Sequence, residues 1–351
     1  MKKKIFAVVL SLTMISAMAV AFTGCGDKET KNDGQVTWKL AHTESKDTMY
    51  DMYAKKFAQL INEKSDGRIN VDVYPVGQLG DSAAQLEMIQ TGGIDIGIFA
   101  AGDVGSTFPA AQAMALNFLF SDRDEVNNKV LFEGEAVKAL SKVMEEKNIH
   151  VYDWFSLGNM QWTSNKPLHT IADFKGLKIR IMNTPLISEN YKAFNASPTP
   201  MPFMETYSGL QLKTVEGTEQ PINAIEEMKF YEVQDYITFS NHSQMASFMA
   251  MNGDFWNNLS AEDKELVQSI IPELQTYAEE CLAKVQKEKF DLIKEKKPEI
   301  KIEYLTDAER TEFVKASMKV REKIVDLAGE EGKNIMNLVI KDVEKYEKEV
   351  K

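Results

Sequence analysis

The segment FKGLKIRIMNTP, at positions 174–185, marks the start of a second strand–helix unit in this chain. Gly176 allows a tight turn, and 177–181 alternates apolar and basic residues as a half-buried strand does. Pro185 then favours the start of a helix. Arg180 is therefore expected near a strand end, where its planar guanidinium can bind a carboxylate through two hydrogen bonds. Taken alone, the pattern favours an exposed arginine on an edge strand over this interpretation.

The chain before this segment predicts a parallel sheet. Short alternating segments are expected to be strands and amphipathic segments between them to be helices, at 36–42, 49–65, 68–74, 82–91 and 94–99. This strand–helix–strand spacing is typical of a doubly wound α/β domain. Ligands of such sheets bind at the carboxyl ends of the strands. Thr43, Asp81 and Ala100 are therefore expected near a site.

A second α/β domain is expected to begin near Gln161. Its predicted strands and helices lie at 177–181, 185–194, 203–215, 217–220, 236–242 and 301–305, and a further strand is expected at 247–251. A long helix at 260–297, kinked or split at Pro272, is expected to bridge both domains. The chain visits each domain more than once, which predicts a hinge. The expected division is 36–157 with about 246–285 for one domain, and 158–245 with about 286–351 for the other.

Composition and charge argue against a nucleic-acid-binding protein. The chain has 351 residues, of which 44% are hydrophobic and 27% charged, which is ordinary for a soluble protein of two domains. Its formal net charge is −12, and its basic residues form no concentrated patch beyond the first four positions. Nucleic acid is not an expected partner, because binding it requires a positive surface.

The N-terminus resembles a bacterial lipoprotein signal. Three lysines at 2–4 precede an apolar run at 5–22, and the sequence FTGC at 22–25 ends it. Cleavage before Cys25 and acylation of its sulfur would follow, and the polar segment 26–35 would form a flexible tether. A plain signal peptide is the alternative, since Phe22 replaces the usual leucine. The length of the run alone would also allow a membrane-spanning helix.

The chain contains no recognisable catalytic or cofactor motif. Its four histidines have no metal-ligand spacing, and it contains no HExxH, CxxC, GxSxG, GxGxxG or phosphate-binding loop. Asp95, Glu216 and Glu219 flank predicted strands, but lone acids at such positions are more often structural. Binding without chemical conversion, and without cofactor or metal, is the expected function.

Five segments carry a family resemblance: GRINVDVYPVGQLGD at 67–81, LKIRIMNTP at 177–185, SPTPMPFMETYSGLQ at 197–211, VEGTEQP at 215–221 and KFYEVQDYITFSNHS at 229–243. In this order they resemble the extracytoplasmic solute-binding proteins of tripartite ATP-independent periplasmic (TRAP) transporters, the DctP family. The resemblance implies a two-domain α/β clamshell, like that of periplasmic binding proteins, with a β-strand hinge and a long helix crossing both domains. It also implies a ligand cleft between the domains.

The resemblance also implies functional residues. Arg180 occupies the position of the family's carboxylate-binding arginine, and the other implied ligand contacts are Asn183, Phe203, Gln220, His242, Met160, Thr43 and Asp81. Met160 stands where many members have a second arginine, which weakens the case for a dicarboxylate. A monocarboxylate, a sugar acid or an acid with an apolar body is left open. For Phe203, Met160 and His242, a purely structural role is the alternative.

The implied function is capture of a small organic acid by a monomeric, lipid-anchored extracytoplasmic protein, for delivery to an ion-gradient-driven TRAP permease. The alternatives are the binding protein of an ATP-driven importer and a lipid-anchored enzyme that uses Asp95 or Glu219.

Overall fold

The computed structural model describes residues 35–350, so the predicted signal sequence, Cys25 and nearly all of the predicted tether lie outside the described residues. Within that range the strands are β1 (Val36–His42), β2 (Ile69–Tyr74), β3 (Ile96–Ala100), β4 (Ile149–Asn159), β5 (Gln161–Ser164), β6 (Lys178–Ile181), β7 (Ser197–Pro200), β8 (Gly217–Gln220), β9 (Tyr236–Phe239), β10 (Gln244–Asn252) and β11 (Lys301–Tyr304).

The helices of the same range are α1 (Met49–Lys64), α2 (Ser82–Gln90), α3 (Asp124–Glu133), α4 (Glu135–Glu145), α5 (Pro185–Ala193), α6 (Thr206–Gln211), α7 (Ile222–Glu227), α8 (Phe230–Val233), α9 (Gly253–Asn258), α10 (Ala261–Ser269), α11 (Ile271–Lys296), α12 (Asp307–Arg321) and α13 (Ile324–Glu349). Short 3₁₀ helices lie at Pro109–Ala115, Ile171–Phe174 and Phe203–Glu205. The predicted helix 203–215 is therefore much shorter, because it begins as a 3₁₀ turn and ends at Gln211. None of the described helices is long and apolar enough to cross a membrane.

The first sheet has the strand order β2-β1-β3-β10-β4. Strands β1, β2 and β3 are parallel, as their spacing predicts, and β10 runs antiparallel to both of its neighbours. Apolar clusters cover both faces, because successive side chains of a strand point to opposite sides. We call this sheet and its helices the first lobe.

The second sheet has the order β11-β9-β5-β8-β6-β7 and also carries an apolar cluster on each face. We call it and its helices the second lobe. Strand β7 was not predicted, because its sequence SPTP contains two prolines. It pairs with β6 in parallel, as β8 does on the other side. β6 is therefore an internal strand, and the interpretation of Arg180 as an edge residue is wrong.

The two lobes are joined by strands. The chain passes from β4 into β5 at Met160, and returns from β9 into β10 through residues 240–243. The two crossings are held together by a hydrogen bond from Met160 N to Ser243 O, of 2.8 Å. Gly158, just before the first crossing, has φ +101°, which a residue with a side chain rarely adopts. These segments form the predicted β-strand hinge.

Helix α11 bridges the lobes. Leu274, Leu282 and Val285 on this helix pack into the first lobe, and Ile293 packs into the second. The predicted break occurs at Ile270, between α10 and α11, and leaves Pro272 in the first turn of α11. Proline is tolerated there because first-turn N–H groups have no partner within the helix.

The C-terminal helix differs from the predicted domain division. The sequence grouped 286–351 with the second lobe, but α13 packs against α3, α4 and the 3₁₀ helix Pro109–Ala115 of the first lobe. Ile335, Val339 and Tyr346 are buried there. The amphipathic pattern of α13 predicted a buried face but could not show which lobe covers it.

Candidate functional site

A cavity of about 490 Å³ lies between the two lobes. The first lobe contributes residues that follow β1, β2 and β3, and the second contributes residues from the ends of β6, β7 and β8. The site thus occupies the carboxyl ends of parallel strands in both sheets, as expected for α/β folds. Behind it the lobes touch, since Thr184 Oγ1 donates to Gly102 O at 2.7 Å.

Arg180 lies in the wall contributed by the second lobe. Arg180 is 3% exposed, because β7 and β8 flank strand β6, on which it lies. Nε and Nη2 both donate to Met201 O, at 3.0 and 2.8 Å, and these are the hydrogen bonds that the described part of the chain makes to the guanidinium. The Phe203 ring lies 5.8 Å from Cζ. One edge of the guanidinium is therefore held by the main chain, and Nη1 forms no hydrogen bond with the described residues.

The charge of Arg180 has no ion-pair partner among the described residues. Burial lowers the pKa of Arg180 to about 10, while the more distant carboxylates of Asp103 and Glu219 act to raise it. The guanidinium therefore stays protonated at neutral pH. A buried cation without a paired anion is costly, and a bound carboxylate would offset that cost.

Two acids of the first lobe, Glu44 and Asp103, also line the cavity. The pKa of Glu44 is raised to about 7, mainly by burial and to a smaller extent by Asp103, against the opposing hydrogen bonds from Thr48 and Tyr50 N. Burial also raises the pKa of Asp103 to about 6, against the opposing effect of Arg180. The sequence analysis missed both acids. The signal was present, because they follow β1 and β3 just as Thr43 does.

Five other predicted contacts lie around the same cavity: Thr43, Asp81, Asn183, Phe203 and Gln220. Asp81 also caps helix α2, where its Oδ1 accepts from Ala84 N at 3.0 Å. Ala100, expected at a strand end, lines a separate cavity of about 20 Å³.

The structure does not bring His242 and Met160 to the main cavity. Met160 is 2% exposed and lines the small cavity behind it, together with Glu219. Its position in the first hinge crossing directs it away from the cleft. The His242 ring is fully buried and stacks on Trp162. The surroundings of both residues therefore favour the structural role that was the alternative for them.

His242 belongs to a buried polar network at the hinge. Glu219 Oε2 accepts from Tyr191 OH at 2.5 Å and lies 2.8 Å from His242 Nε2. Ser240 Oγ lies 2.7 Å from His242 Nδ1. Burial lowers the pKa of His242, against the opposing effect of Glu219. Asp95, the other candidate acid, accepts from Lys39 N at 2.7 Å and secures β1.

Residues 40–326 match the sequence profile of the family described as bacterial extracellular solute-binding protein, family 7. The chain is 33% identical over 310 residues to an ectoine/5-hydroxyectoine-binding periplasmic protein of Ruegeria pomeroyi, covering 88% of this chain and 90% of that protein.

Solved structures agree. The periplasmic ectoine-binding protein of a Halomonas elongata TRAP transporter superposes with a TM-score of 0.85 at 30% identity, over 88% of this chain and all of that one. A TRAP solute-binding protein of Shewanella oneidensis with bound succinate gives a TM-score of 0.81 at 28% identity, over 88% of this chain and 99% of that one.

Proposed function

The chain belongs to the bacterial extracellular solute-binding proteins of family 7, and from this we propose that Arg180 captures the carboxylate of a small organic acid for delivery to a TRAP permease. Like its relatives and structural neighbours, the protein is an extracytoplasmic binding protein of a TRAP transporter. It is not an enzyme. Transport energy comes from an ion gradient through the permease.

The observation that carries the role of Arg180 is its buried, unpaired charge in the wall of the cavity between the lobes. A guanidinium held on one edge by Met201 O presents its remaining N–H groups in a fixed direction. A carboxylate that approaches Nη1 forms a charge-assisted pair whose orientation needs no further ordering. Phe203 covers the face of the guanidinium, and Asn183 and Gln220 supply amide groups for the rest of the ligand.

Binding is proposed to close the cleft about the strand hinge. The ligand contacts both lobes, so it stabilises the arrangement in which the lobes lie close together. The two strand crossings and α11 connect the lobes and would absorb the change in angle. We place the first domain at 36–157 with about 246–285 and α13, and the second at 158–245 with the remainder.

The protein is proposed to act as a monomer.

A thermal-shift screen against small organic acids tests the function. An acid at a concentration of 100 times its Kd should stabilise the folded state by about 2.7 kcal/mol and raise the unfolding midpoint. The neutral amides of the same acids are the matched controls, because they lack the charge that Arg180 is proposed to bind. The bound acid should be recovered unchanged. If no acid shifts the midpoint, or the acid is returned chemically altered, capture for transport is the wrong function.

A lipid anchor on Cys25 is proposed from the sequence FTGC at 22–25. Roughly ten residues of polar tether would then hold the folded part at an r.m.s. distance of about 17 Å from the membrane surface. Cys25→Ser should move the protein from the membrane fraction to the soluble fraction, whereas Cys281→Ser should not. Retention of Cys25→Ser in the membrane fraction would show that the cysteine carries no anchor.

A further inference from the structure

The cavity has opposite charges on its two sides. Arg180 comes from the second lobe, whereas Glu44 and Asp103 come from the first. The three groups are close enough to interact electrostatically. Asp103 acts to raise the pKa of Glu44, and Arg180 acts to lower the pKa of Asp103. Charges of opposite sign therefore line one cavity from different lobes.

Glu44 is not neutralised by the protein. It is 4% exposed, and its Oε2 accepts a long hydrogen bond, of 3.5 Å, from Tyr50 N. The Thr48 side chain also hydrogen-bonds to it and acts, like Tyr50 N, to lower its pKa. The nearby Lys55 pairs instead with Asp47 and Asp51. Neither Glu44 nor Asp103 forms an ion pair with a basic side chain of the described residues. The buried Glu44 and the half-buried Asp103 thus lack a cation, just as Arg180 lacks an anion.

This arrangement discriminates between classes of acid. A dicarboxylate bound to Arg180 would place its second carboxylate near Glu44 and Asp103, and like charges repel one another there. A sugar acid would donate hydroxyl hydrogen bonds to the two acids but would leave their charge uncompensated. A protonated nitrogen satisfies both the hydrogen bonding and the charge.

We propose that the ligand is zwitterionic, with its carboxylate on Arg180 and a positively charged nitrogen on Glu44 and Asp103. This inference rests on the proposed function and names its substrate class. The body of the ligand then lies between the two poles, against Phe203 and Met245. Glu44 and Asp103 are specificity-determining residues, because they select against acids that Arg180 alone would accept.

Proton linkage gives one test on the unaltered protein. The charged groups around Glu44 and Asp103 are Asp81, Arg180 and Glu227. A cationic nitrogen favours the ionised acids, so it should lower their pKa values of about 7 and 6 and release protons near pH 7. A second ligand carboxylate has the opposite effect. Titration calorimetry in two buffers of different ionisation enthalpy should show net proton release, and net uptake would overturn the proposal.

A class screen gives the second test. The probes are four defined sets: zwitterions (proline, glycine betaine, ectoine), monocarboxylates (lactate, pyruvate), dicarboxylates (succinate, malate) and sugar acids (gluconate, galacturonate). The tightest binder should be zwitterionic. A tightest binder from another set overturns the zwitterion proposal while the capture of acids stands. No binder in any set counts against both.

Isosteric variants locate the effect. Glu44→Gln and Asp103→Asn should each weaken the zwitterionic binder by roughly thirtyfold or more and should not weaken succinate. Glu205→Gln is the matched control, because Glu205 also lines the cavity but is exposed, so water screens its charge. If Glu205→Gln weakens binding as much as Glu44→Gln, the two acids have no specific role and the proposal is wrong.

Discussion

Replacing Arg180 with glutamine should lower the affinity for the acid ligand by about thirtyfold to several-thousandfold, equivalent to about 2–5 kcal/mol. The ligand carboxylate would then be buried without its charged partner, and the glutamine amide cannot replace a forked cation. Isothermal titration of wild type and variant with the same acid measures the loss. Arg180→Lys should recover part of the affinity, because an ammonium supplies the charge but not the planar pair of donors.

The free protein should respond differently from the complex. Arg180 is buried without an ion pair, so its removal should leave the free energy of unfolding of the ligand-free protein unchanged or slightly raised. Arg68→Gln is the matched control, since Arg68 is a surface arginine paired with Asp263. Equal affinity in wild type and Arg180→Gln would show that the acid binds elsewhere. A loss of folding would instead assign Arg180 to the core.

Replacing Glu219 with alanine should lower the free energy of unfolding by about 1–3 kcal/mol for each buried donor that loses its acceptor. The change removes the acceptor of both Tyr191 OH and His242 Nε2, and neither of these residues is exposed to water. Two buried donors would lose their partner at the point where the lobes join. Urea denaturation, followed by tryptophan fluorescence, measures the change.

The size of the Glu219 effect depends on burial, which a second glutamate checks. Glu280→Ala on the exposed face of α11 should change the free energy of unfolding by less than about 0.5 kcal/mol. Glu219→Gln keeps one acceptor and should lie between the two. A Glu219→Ala variant as stable as Glu280→Ala would mean that the hinge network adds no stability.

Much of the fold was readable from local pattern. The alternation of strands and helices before Ala100 predicted three parallel strands, and Pro272 predicted the break before α11. These features depend on the spacing of apolar residues and on proline geometry, which are properties of neighbouring positions. Strand β7 was missed for the same reason, since prolines contradict the local pattern of a strand and only pairing with β6 reveals it.

The site was only partly readable. Arg180, Asn183 and Gln220 were predicted and line the cavity, whereas His242 and Met160 were predicted and lie behind it. All of these positions lie at strand ends or in the hinge. Whether such a side chain points into the cleft or into the hinge depends on packing between segments far apart in the sequence.

Short sequence patterns, and the order in which they follow along the chain, were enough to predict the family, the α/β architecture and the arginine that is proposed to bind the ligand. The tertiary structure alone showed that β7 buries Arg180, that α13 completes the first lobe, and that Glu44 and Asp103 line one cavity with Arg180 from different lobes. The physical reason is that the electrostatic energy of a charged group, and hence its pKa, depends on how much water burial removes from it and on the charges nearby. Both are set by residues that meet only when the two lobes fold.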